Sequence, residues 1–428
     1  MRFLPGPGSS RSRPTFDRSD AIASDDTQAP AGTRGGRARV AIRKVRVDFD
    51  TLVERRGTAS YKWDRYGPDV LPFWVADMDL PSPPAVSAAL QARAAHGIYG
   101  YALTPESLVS AIQGHLLAAH GWAVAPDALV YLPGVVPALN LACRAYAAPG
   151  EAVLTVVPAY PPFLEAPGQQ GRQLLTVPAR CARGHWELPL AELEAAVTPR
   201  TRVLLFCHPH NPLGRIWSAD DVAAVVELCR RHRLVLVSDE IHCDLLLEPL
   251  RHVPSILVAP DAAELTVTLM APSKTFNLPG LNFAFAVIPD ERLRRRFTAA
   301  AAGLLPFPGC LAIVAAEAAY RDGGEWLAEL LVYLRGNADL VERFVDSELP
   351  GVTTSRVEAT YLAWLDARAW LEAHGAGGAE AATACLRAGV ALSDGAAFGA
   401  APGFLRLNFG CPRGMLEEGL RRLKVALG

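Results

Sequence analysis

At 428 residues the chain is too long for one small core and too short for more than about three average domains. Half of it is hydrophobic and a fifth charged, as in compact globular proteins, and its 42 basic and 44 acidic residues leave a formal charge of only −2. That balance gives no electrostatic footprint for nucleic acid or an anionic membrane surface, and charges, Pro or Gly interrupt every apolar run before it could span a bilayer.

Residues 1 to about 45 are rich in Arg, Ser, Pro, Gly and Asp without sustained periodicity, and are expected to be a disordered tail. From Pro84 onward the pattern alternates. Pro84–Ala95 and Glu106–His120 read as helices, the second opening on Thr104-Pro105-Glu106. Short β-rich runs follow at Ala128–Leu132, Ala152–Val157, Leu174–Val177, Arg202–Phe206, Leu234–Val237, Leu265–Met270 and Phe283–Ile288. Helical stretches such as Pro137–Tyr146 and Ala219–Arg231 lie between several of them. This alternation predicts an α/β fold, a mostly parallel sheet covered by helices. After Pro306 a long helical region over Leu311–Val345 leads to a smaller α+β portion containing Thr360–Leu365, Ala381–Ala388 and Phe404–Asn408. The expected division is 46–83 as a segment of a small domain, 84–310 as the large domain, and 311–428 as connecting helix and the rest of the small domain.

Eight cysteines without paired short spacings read as small buried hydrophobes in a reducing compartment, with the cytoplasm as the expected location. Lysine is the more telling count. Only Lys44, Lys62, Lys274 and Lys424 occur among the 42 basic residues. Arginine keeps its proton and cannot condense with an aldehyde, whereas lysine can do both jobs of an amine. A lysine retained inside the fold is therefore a candidate for amine chemistry, and only Lys274 sits among strands expected to be buried.

In open α/β sheets ligands bind beyond the carboxyl ends of the strands. The distinctive polar groups fall there: His208-Pro209-His210-Asn211-Pro212-Leu213-Gly214, Ser238-Asp239-Glu240-Ile241-His242, Ser273-Lys274-Thr275-Phe276-Asn277, and Pro158-Ala159-Tyr160. Gly134-Val135-Val136, between a strand and a helix, offers bare N–H groups at a helix N-terminus, a ready phosphate site. The histidines and cysteines at 207–210 and 242–243 match no standard zinc spacing, so no metal is expected. No Gly-x-Ser-x-Gly elbow marks a serine hydrolase.

These segments resemble the fold-type I, aspartate-aminotransferase-like enzymes that use pyridoxal 5'-phosphate (PLP), and within them the bacterial cystathionine β-lyase / C–S lyase branch. The likeness runs from residue 48 onward and includes Trp74-Val75-Ala76-Asp77-Met78-Asp79, Tyr99-Gly100-Tyr101, Thr360-Tyr361-Leu362-Ala363-Trp364-Leu365-Asp366 and Phe404-Leu405-Arg406-Leu407-Asn408. It implies that Lys274 carries PLP and then moves the substrate's Cα proton, for which its pKa must fall. It implies Asp239 beside the ring nitrogen, Asn211 and His242 near the phenolic oxygen, and Tyr160 stacked on the ring. Val135, Val136, Ser273 and Tyr101 would share the phosphate, Tyr101 reaching across the interface of a homodimer. Arg406 would grip the substrate carboxylate, with Asn211 and Tyr101 beside it, because a planar guanidinium pairs with a carboxylate through two parallel bonds. Asn282 stands where many aminotransferases place a phosphate-binding arginine. Tyr61, Trp63 and Asp77-Met78-Asp79 fit either a pocket wall or packing and capping.

The implied activity is cleavage of cystathionine or another S-substituted cysteine to a thiol, pyruvate and ammonia. The alternatives are a class I/II aminotransferase, which the residue chemistry alone favours nearly equally, and a PLP-binding regulator without turnover. The implied partner is a small amino-acid substrate, with neither nucleic acid nor membrane.

Overall fold

Aliphatic and β-branched runs become strands here because their side chains pack on both faces of a pleated layer. The structure, a computed structural model, describes residues 47–182, 184–259 and 261–428, so the tail expected over residues 1 to about 45 lies outside them. Seven runs form one sheet: β1 (Leu129–Leu132), β2 (Ala152–Val157), β3 (Gln173–Pro178), β4 (Thr201–Cys207), β5 (Val235–Asp239), β6 (Thr266–Met270) and β7 (Ala284–Val287). Their order is β1-β7-β6-β5-β4-β2-β3. β7 runs antiparallel to both neighbours, and all the other pairs are parallel.

The helices that matter here are α1 (Pro84–His96), α2 (Glu106–His120), α3 (Val135–Tyr146), α4 (Ala219–His232), α5 (Pro272–Thr275), α6 (Cys310–Asp322), α7 (Gly324–Glu348) and α8 (Arg413–Leu427). α3 and α4 cover opposite faces of the sheet, and α7 and α8 pack on each other and on the C-terminal portion. Strand side chains alternate between faces, and the alternation assigns the partners. Val153, Val203, Leu205 and Val237 pack with Ala138, Leu139 and Ala142 of α3. Leu154, Leu204 and Leu236 turn the other way, onto Val222, Val225 and Cys229 of α4. Each such side chain, fully buried, contributes about 1.5–3 kcal/mol. α4 starts sharply because Ser218 and Asp221 cap each other's backbone N–H groups.

A second sheet is antiparallel throughout: β8 (Thr353–Thr354), β9 (Leu362–Asp366), β10 (Ser393–Asp394) and β11 (Phe404–Asn408), in the order β8-β9-β11-β10. Leu71–Pro72 pairs in parallel with Val390–Ala391, which ties the early segment to the C-terminal portion. Among the described residues no helix is long and apolar enough to cross a membrane.

Three expectations need correction. The helical region over Leu311–Val345 is two helices, α6 and α7, broken at Gly323. A side chain there would run into the Ala319 carbonyl and the Phe276 ring, so the close packing on Phe276 requires the glycine. Cys181 is exposed and Cys310 partly so, unlike the other six cysteines. Lys62, read as lying outside the core, is fully buried, because Asp79 meets its ammonium at 2.7 Å. A buried charge is tolerable only when paired in this way.

Candidate active site

Strand register assembles the site. Cys207 at the end of β4 lies opposite Asp239 of β5, and Asp239 lies opposite Leu269 of β6. The three strand ends are therefore level, and the loops leaving them share one edge of the sheet. There they enclose a cavity of about 300 Å³ lined by Lys274, Asp239, Asn211, His242, Tyr160 and Ser273, together with Gly134, Val135, Val136 and Asn282. Every expected cofactor residue except Tyr101 thus faces one space.

Lys274 follows β6 in the short helix α5, and its Nζ donates to the Ala76 carbonyl at 2.6 Å. Burial and then the Arg406 cation lower its pKa to about 8, against the pull of Asp77 and Asp239. An amine so placed is largely deprotonated at mildly basic pH, as condensation with an aldehyde requires. Asp239 is buried and accepts only the Ile241 N–H, at 3.2 Å, so desolvation raises its carboxyl to about 7. A cation opposite it would reverse that shift. His242 is pushed down to about 3 by burial and by the Lys274 and Arg406 charges, and its Nδ1 has no partner. It is a neutral ring with an unspent polar atom at the cavity wall.

Arg406 sits in β11 opposite Trp364 and Ser393. It donates to the Asn211 Oδ1 at 3.0 Å and to the Trp74 carbonyl at 2.7 Å, with Phe398 4.7 Å beneath the guanidinium. With its oxygen taken, Asn211 presents its NH₂ group as donor. Arg406 bonds Asn211 of the cavity wall but is not itself among the lining residues, and its buried Nε has no partner. Tyr101 is fully exposed, among exposed Ile98, Tyr99 and Leu103, and does not reach the cavity of its own chain. Tyr61 is exposed and meets Trp74 in a tilted ring contact, whereas Trp63 and Asp79 belong to the buried Lys62 cluster. Of the two readings of these residues, packing is the one that describes Trp63 and Asp79.

The groups fit PLP. An unpaired buried carboxylate, an unpartnered imidazole nitrogen, a lysine of lowered pKa and the backbone N–H groups at the start of α3 surround a space large enough for a pyridine ring and its phosphate. Residues 68–423 match the family described as aminotransferase class I and II.

The chain belongs to that family.

The cystathionine beta-lyase PatB of Bacillus subtilis (strain 168) is 40% identical to it over 394 residues, covering 89% of this chain and 100% of PatB. The crystal structure of OvoB matches with a TM-score of 0.85 at 40% identity, over 89% of this chain and 99% of OvoB. The PLP-bound C–S lyase from Staphylococcus hominis matches with a TM-score of 0.85 at 29% identity, over 90% and 99%.

In this member of the aminotransferase class I and II family, three structural contributions escaped the sequence. Tyr361 donates to the same Ala76 carbonyl as Lys274, at 2.9 Å, and is fully buried. Asn277, with a left-handed φ of 55°, ties the lysine turn to Met78 and Leu80 through its side chain. Asp244 bonds the Thr275 hydroxyl beside Lys274. For Asn277 and Asp244 the signal was nearness in sequence to Lys274 and Asp239, and for Tyr361 its place in the Thr360–Asp366 stretch, but no spacing distinguishes a contact across the fold from an ordinary turn or strand residue.

Proposed function

We propose that the chain is a PLP-dependent carbon–sulfur β-lyase, acting on cystathionine or a related S-substituted cysteine. The observation that carries the reading is the convergence of Lys274, Asp239, Asn211, His242 and Tyr160 on one cavity at the carboxyl edge of the sheet. When bound, PLP supplies an aldehyde that captures an amine and a ring that accepts the electron pair left at the substrate's Cα. Lys274 holds the cofactor and then takes the Cα proton. Asp239 offsets the charge of a protonated ring nitrogen. Asn211 donates to the phenolic oxygen, Tyr160 covers one ring face, and His242 stands beside them. The N–H groups of Val135 and Val136 and the Ser273 hydroxyl take the phosphate. Asn282 supplies no cation there, which leaves that contact to main chain and hydroxyls. Arg406, with Asn211 beside it, pairs with the substrate carboxylate.

What favours carbon–sulfur cleavage over amino transfer is likeness along nearly the whole chain to proteins named for that cleavage. The same reading includes the boundaries 46–83, 84–310 and 311–428, a cytoplasmic location, and a homodimer. The exposed apolar group at Ile98, Tyr99, Tyr101 and Leu103 supports the dimer, since Tyr101 can complete a phosphate site only in a second copy. The test is to add cystathionine to the PLP-loaded protein and measure pyruvate and thiol, then repeat with 2-oxoglutarate. Thiol and pyruvate without any keto acid are expected; formation of glutamate would replace the lyase by an aminotransferase.

A further inference from the structure

The turn that leaves β5 carries Asp239 and His242 into the cavity, and two residues later it carries Asp244 away from it. Asp244 is nearly buried, yet it is hydrogen-bonded to Thr275 and His115 and lies beside a third polar group, His120. Its Oδ2 accepts the Thr275 hydroxyl at 3.0 Å, and its Oδ1 lies 3.0 Å from His115 Nε2 and 3.3 Å from His120 Nε2. Burial alone would favour a neutral acid, but the two imidazoles, His115 foremost, outweigh it and keep the carboxylate charged. Thr275 is completely buried and adjoins Lys274. On the other side of the lysine turn, Asn277 makes three hydrogen bonds to the segment at 78–80. The turn that presents the amine is therefore strapped from two directions. The Asp244 strap joins it to the turn that presents Asp239 and His242.

We propose that Asp244 is a positioning residue for Lys274: through the Thr275 hydroxyl it fixes the lysine turn against the Asp239–His242 turn, with His115 and His120 of α2 anchoring its carboxylate. This rests on the reading of Lys274 as the cofactor-bearing amine. A carboxylate is suited to the role because a charged acceptor binds a hydroxyl about twice as strongly as a neutral one. Proton transfer by Lys274 depends on position at the ångström scale, where a displacement of about 1 Å costs on the order of 100-fold in rate.

Thr275→Val removes the hydroxyl at nearly constant volume, and Thr275→Ser restores it; Asp244→Asn keeps an acceptor but not the charge. In the PLP-loaded enzyme, Thr275→Val is expected to lower kcat on the order of 10-fold or more with KM changed little, and Ser at that position to recover most of the loss. Asp244→Asn falls between. A second readout needs no cofactor: amide hydrogen exchange over 272–278 in the cofactor-free chain speeds up in Thr275→Val and not in Thr275→Ser. Unchanged kcat and unchanged exchange in Thr275→Val would overturn the inference alone. So would a kcat that a chelator removes and zinc restores, since a metal and not the hydrogen bonds would then hold the three groups. If the unaltered protein yields no borohydride-reducible PLP adduct at Lys274, the reading of the lysine itself falls.

Discussion

The Arg406 guanidinium donates to the Asn211 side-chain oxygen across 3.0 Å, joining residues 195 positions apart in the chain. One comes from the antiparallel sheet and the other from the loop after β4, so the proposed substrate grip and the proposed cofactor contact are built as one unit. The bond also orients Asn211, because an amide whose oxygen is occupied must offer its NH₂ group to the cavity.

A lysine at 406 would keep the charge and lose the planar fork. Arg406→Lys is expected to lower kcat/KM on the order of 10- to 100-fold, mainly through KM, because pairing with the substrate carboxylate is made before the reaction as well as during it. Steady-state kinetics on cystathionine measures this; an unchanged KM would remove Arg406 from substrate binding.

Lys274 titrates near 8 where an ordinary lysine titrates near 10.5. Only the free amine attacks an aldehyde. The rate at which cofactor-free protein captures PLP should therefore rise with pH to a midpoint close to 8 and level off above it. Stopped-flow absorbance over pH 6–10, a range on the order of two units either side, reads that midpoint. Lys274→Ala should give no adduct reducible by borohydride.

Asp239 carries a sign that can be checked. Its pKa is about 7 in the folded protein against 3.8 ordinarily, so between those values the folded chain holds a proton that the unfolded chain has released. The stability this group contributes is full below the ordinary value and is lost as pH rises through about 7. Thermal unfolding of the cofactor-free protein should therefore show a larger drop in Tm from mildly acidic to mildly basic pH than Asp239→Asn does. Equal drops would mean that Asp239 is not desolvated as the structure places it.

The Lys62–Asp79 pair is a matter of stability, since neither residue faces the cavity. Asp79 also accepts from Trp63 Nε1 at 2.7 Å and Arg55 Nη1 at 2.5 Å. Asp79→Leu strips the fully buried Lys62 of its nearest counter-charge and should cost about 3–5 kcal/mol in denaturant unfolding. A loss below about 1 kcal/mol would show that Asp77, 3.6 Å from Lys62, replaces it.

Local order was legible because it depends on neighbours. Continuous apolar runs such as Ala152–Val157, and a capped, amphipathic stretch over Ala219–His232, report the faces that must be covered whatever covers them. The scarcity of lysine singled out Lys274 for the same kind of reason: its chemistry belongs to the residue type. Burial of a charge is different. Lys62 lies within a polar stretch, and nothing near it in sequence announces that Asp79 would meet it in the interior. The break at Gly323 likewise depends on Phe276, a residue far away along the chain.

What the sequence by itself determined, then, is the alternation of elements, the strand-end placement of the polar groups and the choice of Lys274 as the candidate amine. Tertiary structure alone decided which of those groups touch. Arg406 reached Asn211, Asp244 reached Thr275, and Tyr101 was turned away from its own chain's cavity. The physical reason is that side-chain patterning encodes which surfaces seek burial, whereas pairwise hydrogen bonds and pKa shifts arise only once packing has set distances and excluded water.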